Sequence, residues 1–231
     1  MTMSGRSIIV TGGFGALGRV VAAAFAAAGD RVARIDFAPS APDAIPGGLD
    51  IAGVDLTDAA AVDGAVARVA EAFGGVDVLV NIAGGFTWET LEGGAIGSWE
   101  RMFTMNVKSN ATITRAVLPH VKASKAGRII NIGAGAAISA AAGMGAYAAS
   151  KAGVHRLTEA LSAELSGTGV TVNAVLPSII DTPTNRADMP GADTSQWVKP
   201  QAIADVIQFL ASPAARAISG ALIPVSRGEG G

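Results

Sequence analysis

Short runs of β-branched and aliphatic residues alternate with longer alanine-rich stretches along the whole chain, and this alternation limits the possible folds. Arg6–Thr11 reads as a buried strand and Ala16–Ala28 as a helix stopped at Gly29. Further strands are expected at Arg31–Ile35, Ile51–Asp55 (the weakest), Val76–Asn81, Arg128–Ile132, Val170–Val175 and Ala221–Val225. Helices fill the intervals. One starts at Thr57, whose hydroxyl can cap it, and runs to about Phe73 before Gly74-Gly75. One long or two shorter helices lie within Ser98–Ser124, and others at Ala146–Leu165 and Gln201–Leu210. Such alternation predicts an α/β fold: a parallel sheet of about seven strands with helices on both faces. Right-handed crossovers make it doubly wound. No linker or tandem repeat divides residues 1–231, so one Rossmann-type domain is expected. Segments 37–50, 85–97 and 178–200 read as irregular, and 178–200, the longest, as a substrate loop.

Composition narrows the function classes. The net charge of −2 argues against nucleic acid and anionic membrane surfaces as partners. Without cysteine there are no disulfides, thiolate metal sites or thiol catalysis. Half the residues are apolar, so two segments need a membrane test. The run Ser7 to Val10 is broken at once by Gly12 and Gly13, unlike a signal peptide. Residues 129–150 carry no charge but are rich in Ala, Gly, Ser and Asn rather than Leu or Phe. A cytoplasmic protein with a small-molecule substrate is expected.

The first strand runs directly into Thr11-Gly12-Gly13-Phe14-Gly15-Ala16-Leu17-Gly18. Glycines there allow a tight turn and close approach to a diphosphate, which the N-terminus of the next helix attracts. An ordinary tight turn would look similar, but the position between first strand and first helix favours a cofactor loop. Asp36 ends the second strand, placed to accept hydrogen bonds from an adenosine ribose and to repel a 2′-phosphate. No Lys or Arg occupies 13–14 or 37–38, so NAD(H) is preferred over NADP(H). Asp36 is also compatible with a strand-end carboxylate or helix cap, and Arg34, two residues earlier, with a cation turned to the same site.

From residue 6 to about 225 the chain resembles the classical short-chain dehydrogenase/reductase family. The resemblance rests on the Thr11–Gly18 loop, Asp55-Leu56, Asn81-Ile82-Ala83-Gly84, Asn106, Tyr147-Ala-Ala-Ser-Lys151, and Pro177 with Thr182. It implies a seven-stranded sheet and a homodimer or homotetramer. It places Asp55 and Leu56 beside the adenine and Asn81, Ala83 and Gly84 along the cofactor. Ile180 and Thr182 would hold the nicotinamide carboxamide. Gly12, Phe14, Gly15, Ala16 and Leu17 of the loop, Phe37 after Asp36, Ile132 and Pro177 complete the expected cofactor contacts. Pro177-Ser178 stands where the family has Pro-Gly. Within the family the chain is more similar to the dihydropteridine reductases, at 12–18, 76–86, 143–157, 174–186 and 189–197.

Tyr147 and Lys151 are four residues apart and share a helix face. An ammonium beside a phenol lowers its pKa, so Tyr147 can act as general acid in reduction and base in oxidation. Alone, the pair would also suit a solvent-facing helix surface. Lys151, by the resemblance, also binds the nicotinamide ribose, and Asn106 supports a water chain to it; a helix cap or kink is the other reading of Asn106. The family's serine would fall 13 residues before the tyrosine, where this chain has Ala134. Either the acceptor is electrophilic enough to need no second donor, or Ser139 supplies one, or turnover is slow or absent. The dihydropteridine reductases, by resemblance, also lack this serine, and a quinonoid dihydropterin accepts hydride readily. A ketone or alcohol oxidoreductase and a non-catalytic dinucleotide-binding protein are the alternatives. Phe86, Trp88, Met144 and Trp197 can wall a flat substrate pocket or serve core or subunit packing. His120 and His155 read as surface or helix-face residues without chemistry, and no metal site is expected.

Overall fold

A computed structural model describes residues 5–228. Seven parallel strands form one sheet in the order β3-β2-β1-β4-β5-β6-β7. They are β1 (Ser7–Thr11), β2 (Arg31–Ile35), β3 (Leu49–Ile51), β4 (Val78–Asn81), β5 (Arg128–Ile132), β6 (Thr171–Pro177) and β7 (Leu222–Val225). Helices α1 (Ala16–Ala27), α2 (Ala59–Phe73), α3 (Ile96–Phe103), α4 (Ser109–Ala123), α5 (Gly145–Glu164), α6 (Pro183–Asp188) and α7 (Pro200–Ala211) connect them.

Strand side chains alternate between two cores, as the two-residue repeat requires. Ile9, Ala33, Ile35, Leu79, Ile129 and Val172 pack against α2, α4 and α5. Ile8, Val10, Val32, Val78, Val80, Ile130 and Val175 pack against α1 and α7. Both faces are buried, which explains why the strands read as continuous apolar runs rather than alternating ones.

Two local expectations need correction, and the open choice at 98–124 falls to one long helix. β3 spans Leu49–Ile51 instead of Ile51–Asp55, because Gly53 (φ 69°) turns the chain and Val54 N–H returns to the Asp36 carbonyl. Asp58, not Thr57, caps α2, accepting from the N–H groups of Ala60 and Ala61. The Thr57 hydroxyl is already donated to Asp55 at 2.8 Å. Helix runs without a break from Ile96 to Ala123, through a π-helical turn at Thr104–Lys108.

The 178–200 segment is more ordered than a plain loop. Ile180 and Val198 form a parallel bridge at its base, and α6 lies within it. Among the described residues, no helix is long and apolar enough to cross a membrane and no three metal-ligating side chains cluster.

Candidate active site

The strand order reverses between β1 and β4, the switch point at which open α/β sheets bind ligands. A cleft of about 1050 Å³ opens there, at the upper end of the usual range for ligand pockets, roughly 300–1,000 Å³. It is lined by Gly12, Phe14, Gly15, Ala16, Leu17, Asp36, Phe37, Asp55, Leu56, Ala83, Gly84 and Thr182, all expected from the sequence.

Gly12 adopts φ 63°, and a Cβ there would stand 2.9 Å from the Ala83 amide nitrogen. A Cβ on Gly18 would overlap the Gly12 carbonyl. The loop therefore closes against both β4 and the start of α1. The α1 N-terminus has neither a capping side chain nor an acidic residue in its first turn, leaving its N–H groups and positive dipole end for an anion. Asp36 accepts Phe14 N–H at 2.9 Å on one oxygen and Ala38 N–H at 3.0 Å on the other. Its carboxylate is thus fixed at the cleft edge with lone pairs to spare. These features fit a dinucleotide: a cradle for the diphosphate and an acceptor for ribose hydroxyls.

Arg34 does not turn to that site as a free cation. It is buried, bonded to Asp50 at 2.7 Å and to Asp43 at 2.5 Å, and its guanidinium covers the Phe14 ring at 5.3 Å from the centroid. Its two carboxylate partners push its pKa up despite burial.

Asn81 departs from expectation. Its amide donates to Asn110, Thr114 and Asn131 inside the core, so it braces β4 against α4 and β5 and does not line the cleft. Thr11 Oγ1 accepts from the N–H groups of Ile82 and Ala83, bending the chain after β4 toward the cleft. Ile132, Pro177 and Ile180 are also absent from the cleft lining. Ile132 acts through its carbonyl, described below, and Pro177 is buried at the end of β6. The Ile180 carbonyl accepts from Asn185 at 2.7 Å, while Thr182 caps α6.

Tyr147 and Lys151 lie in the first turns of α5. Lys151 Nζ donates to the Ile132 carbonyl at 2.8 Å, and burial pulls its pKa down to about 8. Tyr147 does not have the lowered pKa expected of it: burial pushes it up to about 12. In the chain by itself desolvation alone moves it. Phe86 meets the Tyr147 ring edge-on, with centroids 4.9 Å apart.

Asn106 sits in the π-helical turn, 1% exposed. Its side chain exchanges hydrogen bonds with the backbone of Gly85 (2.9 and 3.1 Å) and donates to Ser150 Oγ at 2.9 Å. Ser150 in turn donates to the Tyr147 carbonyl at 2.7 Å. Asn106 thus joins the segment after β4 to the helix bearing Tyr147, from a π-helical turn between α3 and α4.

Ala134 follows β5, 4% exposed, and offers only a methyl group. Its N–H is donated to His155 Nε2 at 3.3 Å. His155 is therefore buried and engaged, not a surface residue. Ser139 is exposed beyond the Gly135–Ala137 turn and does not line the cleft. Trp88 Nε1 donates to the Ala142 carbonyl at 3.1 Å, and Glu89 N–H to that of Gly143 at 2.9 Å, stitching segment 85–97 to the loop before α5. Met144, half-buried, is the N-cap residue of α5. Trp197 is buried at the base of the 178–200 segment and offers no stacking surface.

Sequence reasoning missed part of the lining. Glu100, Arg101, Thr104 and Met105 reach the cleft from α3 and the π turn. A π turn shifts the register by one residue and has no clear sequence signal. Ala38, Val54 and Thr57 come from the turns around β3, which was placed too late in the chain.

Residues 6–192 match the short chain dehydrogenase family. The chain belongs to that family. It is 36% identical to the 3-oxoacyl-[acyl-carrier-protein] reductase MabA of Mycobacterium bovis, over 97% of this chain and 93% of MabA. It is 30% identical to the corresponding reductase FabG of Thermotoga maritima, over 99% of each chain. The ligand-free structure of the aldohexose dehydrogenase of Thermoplasma acidophilum superposes with a TM-score of 0.88 at 26% identity, covering 96% of this chain and 92% of that one. The family member described here is accordingly an NAD(P)-dependent oxidoreductase.

Proposed function

We propose that this enzyme is an NADH-dependent reductase of a strongly electrophilic acceptor, of which a quinonoid dihydropterin is the leading class. The observation that carries this reading is the buried methyl of Ala134 where the family places a serine hydroxyl. Loss of one positioned donor costs roughly 10²–10³ in rate, so an acceptor that is turned over here must already be activated. The likeness of 174–186 and 189–197 to the dihydropteridine reductases points to the same class.

A bound nicotinamide dinucleotide supplies the hydride. Tyr147 holds the proton: with a pKa near 12 its phenol stays protonated through the neutral range and gives up the proton as negative charge builds on the acceptor. Lys151, anchored on the Ile132 carbonyl, retains further N–H donors for the nicotinamide ribose. The fixed Asp36 carboxylate and the engaged Arg34 favour NADH over NADPH. Assembly as a dimer or tetramer suits the exposed Ile96, Trp99 and Phe103 on α3.

Stopped-flow oxidation of NADH, with quinonoid dihydropterin beside a panel of ketones, tests the reading. Turnover confined to the pterin supports it. The names of the relatives, 3-oxoacyl-[acyl-carrier-protein] reductases among them, favour a second reading as a ketone or alcohol oxidoreductase. Ketone turnover lost in Ser139→Ala would support that reading with Ser139 as the substitute donor.

A further inference from the structure

His155 lies beside the reaction centre, yet the proposed chemistry does not use it. It is 3% exposed on α5, one turn beyond Lys151. Its Nε2 accepts the Ala134 N–H, and its ring lies flush against Gly133. A Cβ on residue 133 would stand 2.7 Å from His155 Cδ2 and closer still to Nε2. Two residues before Ala134, the Ile132 carbonyl accepts from Lys151. Successive turns of α5 therefore grip the end of β5 on either side of Gly133, Lys151 by a carbonyl and His155 by an N–H.

We infer that His155 is a positioning residue: as a neutral imidazole protonated on Nδ1, it fixes Ile132–Ala134 against α5 and withholds the Ala134 N–H from the substrate. The second effect bears on specificity. Backbone N–H groups commonly serve as oxyanion donors. With a methyl where the serine hydroxyl is expected, the N–H of the same residue is the polar donor that remains on it, and His155 occupies that donor. Tyr147 is then the donor left on this wall, which suits an acceptor that takes its proton at a single atom. This last step rests on the reductase reading above; the tautomer and the backbone grip do not.

The surroundings favour the neutral ring, and an imidazolium has no lone pair with which to accept. Burial lowers the His155 pKa, and Arg156 and Lys151 act in the same direction. Glu159 opposes them, but its carboxylate is paired with Arg156 at 2.8 Å. From β5 the ring meets Gly133 and Ala134, neither of them charged.

The chain has two histidines, so imidazole ¹⁵N NMR resolves both, with His120→Gln as the assignment variant. The expected result for His155 is a proton on Nδ1, a bare Nε2 and a titration midpoint below the ordinary 6.5. A proton on Nε2, or a midpoint at or above that value, overturns the proposal. A second measurement uses NADH binding, followed by fluorescence. His155→Leu should weaken it about five-fold, one hydrogen bond's worth, by loosening the Lys151 anchor. His155→Gln, which keeps an acceptor near the Nε2 position, should recover most of the loss. Equal losses in both variants overturn the grip. If His155→Leu does not fold, the wild-type tautomer still gives the answer. Neither measurement needs an acceptor substrate, so failure of the pterin reading would leave both results standing.

Discussion

Gly84 and Asn106 fit together without spare room: a Cβ on residue 84 would overlap Asn106 Oδ1 and come within 3.5 Å of Lys151 Nζ. The cleft wall after β4, the π-helical turn and Lys151 are thus packed as one unit. Gly84→Ala should displace Asn106 and break its paired bonds with Gly85. Two hydrogen bonds at about 1 kcal/mol each amount to roughly a thirty-fold loss in NADH affinity. Titration of the variant by fluorescence checks this, and affinity within two-fold of wild type would count against the shared unit.

Tyr147→Phe keeps the ring that Phe86 packs against and removes only the hydroxyl. Turnover should fall by about 10² or more, the usual contribution of a positioned proton donor, with NADH affinity within roughly three-fold of wild type. Steady-state rates and NADH titration together check it. An unchanged rate would sink Tyr147 as the donor.

Sequence and structure agree most closely where one residue type at one place is required. The glycine loop was legible because Gly12 and Gly18 have no room for a side chain, and Asp36 because it directly follows β2 at the cleft edge. The strands were legible because burial on both faces makes each a continuous apolar run. What escaped depends on which neighbour a polar side chain chooses. Asn81 and His155 are polar residues next to the cleft, but the sequence does not say that one turns to three partners in the core and the other to the Ala134 amide. The π turn escaped for a different reason: helix propensity is blind to one extra residue in a turn.

The buried pair should leave its mark on stability as pH rises. Lys151 has a folded pKa of about 8 against 10.5 for the free side chain. Between those values the unfolded chain holds the extra proton, so this group makes stability increase with pH, by roughly 3 kcal/mol over the window. Tyr147 acts oppositely, its folded pKa being raised from 10 to about 12. There the folded chain holds the proton, and stability falls as pH climbs through that range. Lys151→Met should abolish the rise between pH 8 and 10.5 in urea denaturation curves while leaving the later fall. A slope unaltered by that variant would mean that Lys151 is not buried as a near-neutral amine.

Cofactor choice should respond to Asp36. Asp36→Asn keeps one acceptor oxygen for the Phe14 or Ala38 amide but removes the charge that opposes a 2′-phosphate. The ratio of NADH to NADPH affinity should fall roughly ten-fold, about 1.4 kcal/mol, which lies between the bulk-water and protein-surface strengths of one like-charge contact. Parallel titrations with the two dinucleotides give the ratio, and a preference that does not move would shift attention to Arg34 and its carboxylate partners.

Ala134→Ser supplies the hydroxyl whose absence carries the proposed function. The site is 4% exposed, and adding a single oxygen there is a modest overpacking. If the missing donor restricts the enzyme to activated acceptors, simple ketones should gain at least about ten-fold in kcat/KM, part of the 10²–10³ such a donor can be worth. The quinonoid dihydropterin should gain little, because its reduction does not wait on that hydrogen bond. The contrast between the two substrates carries the test, since a general effect on folding would move both together. Equal gains would mean that Ala134 limits every acceptor alike, and the absence of the serine would then say nothing about the substrate.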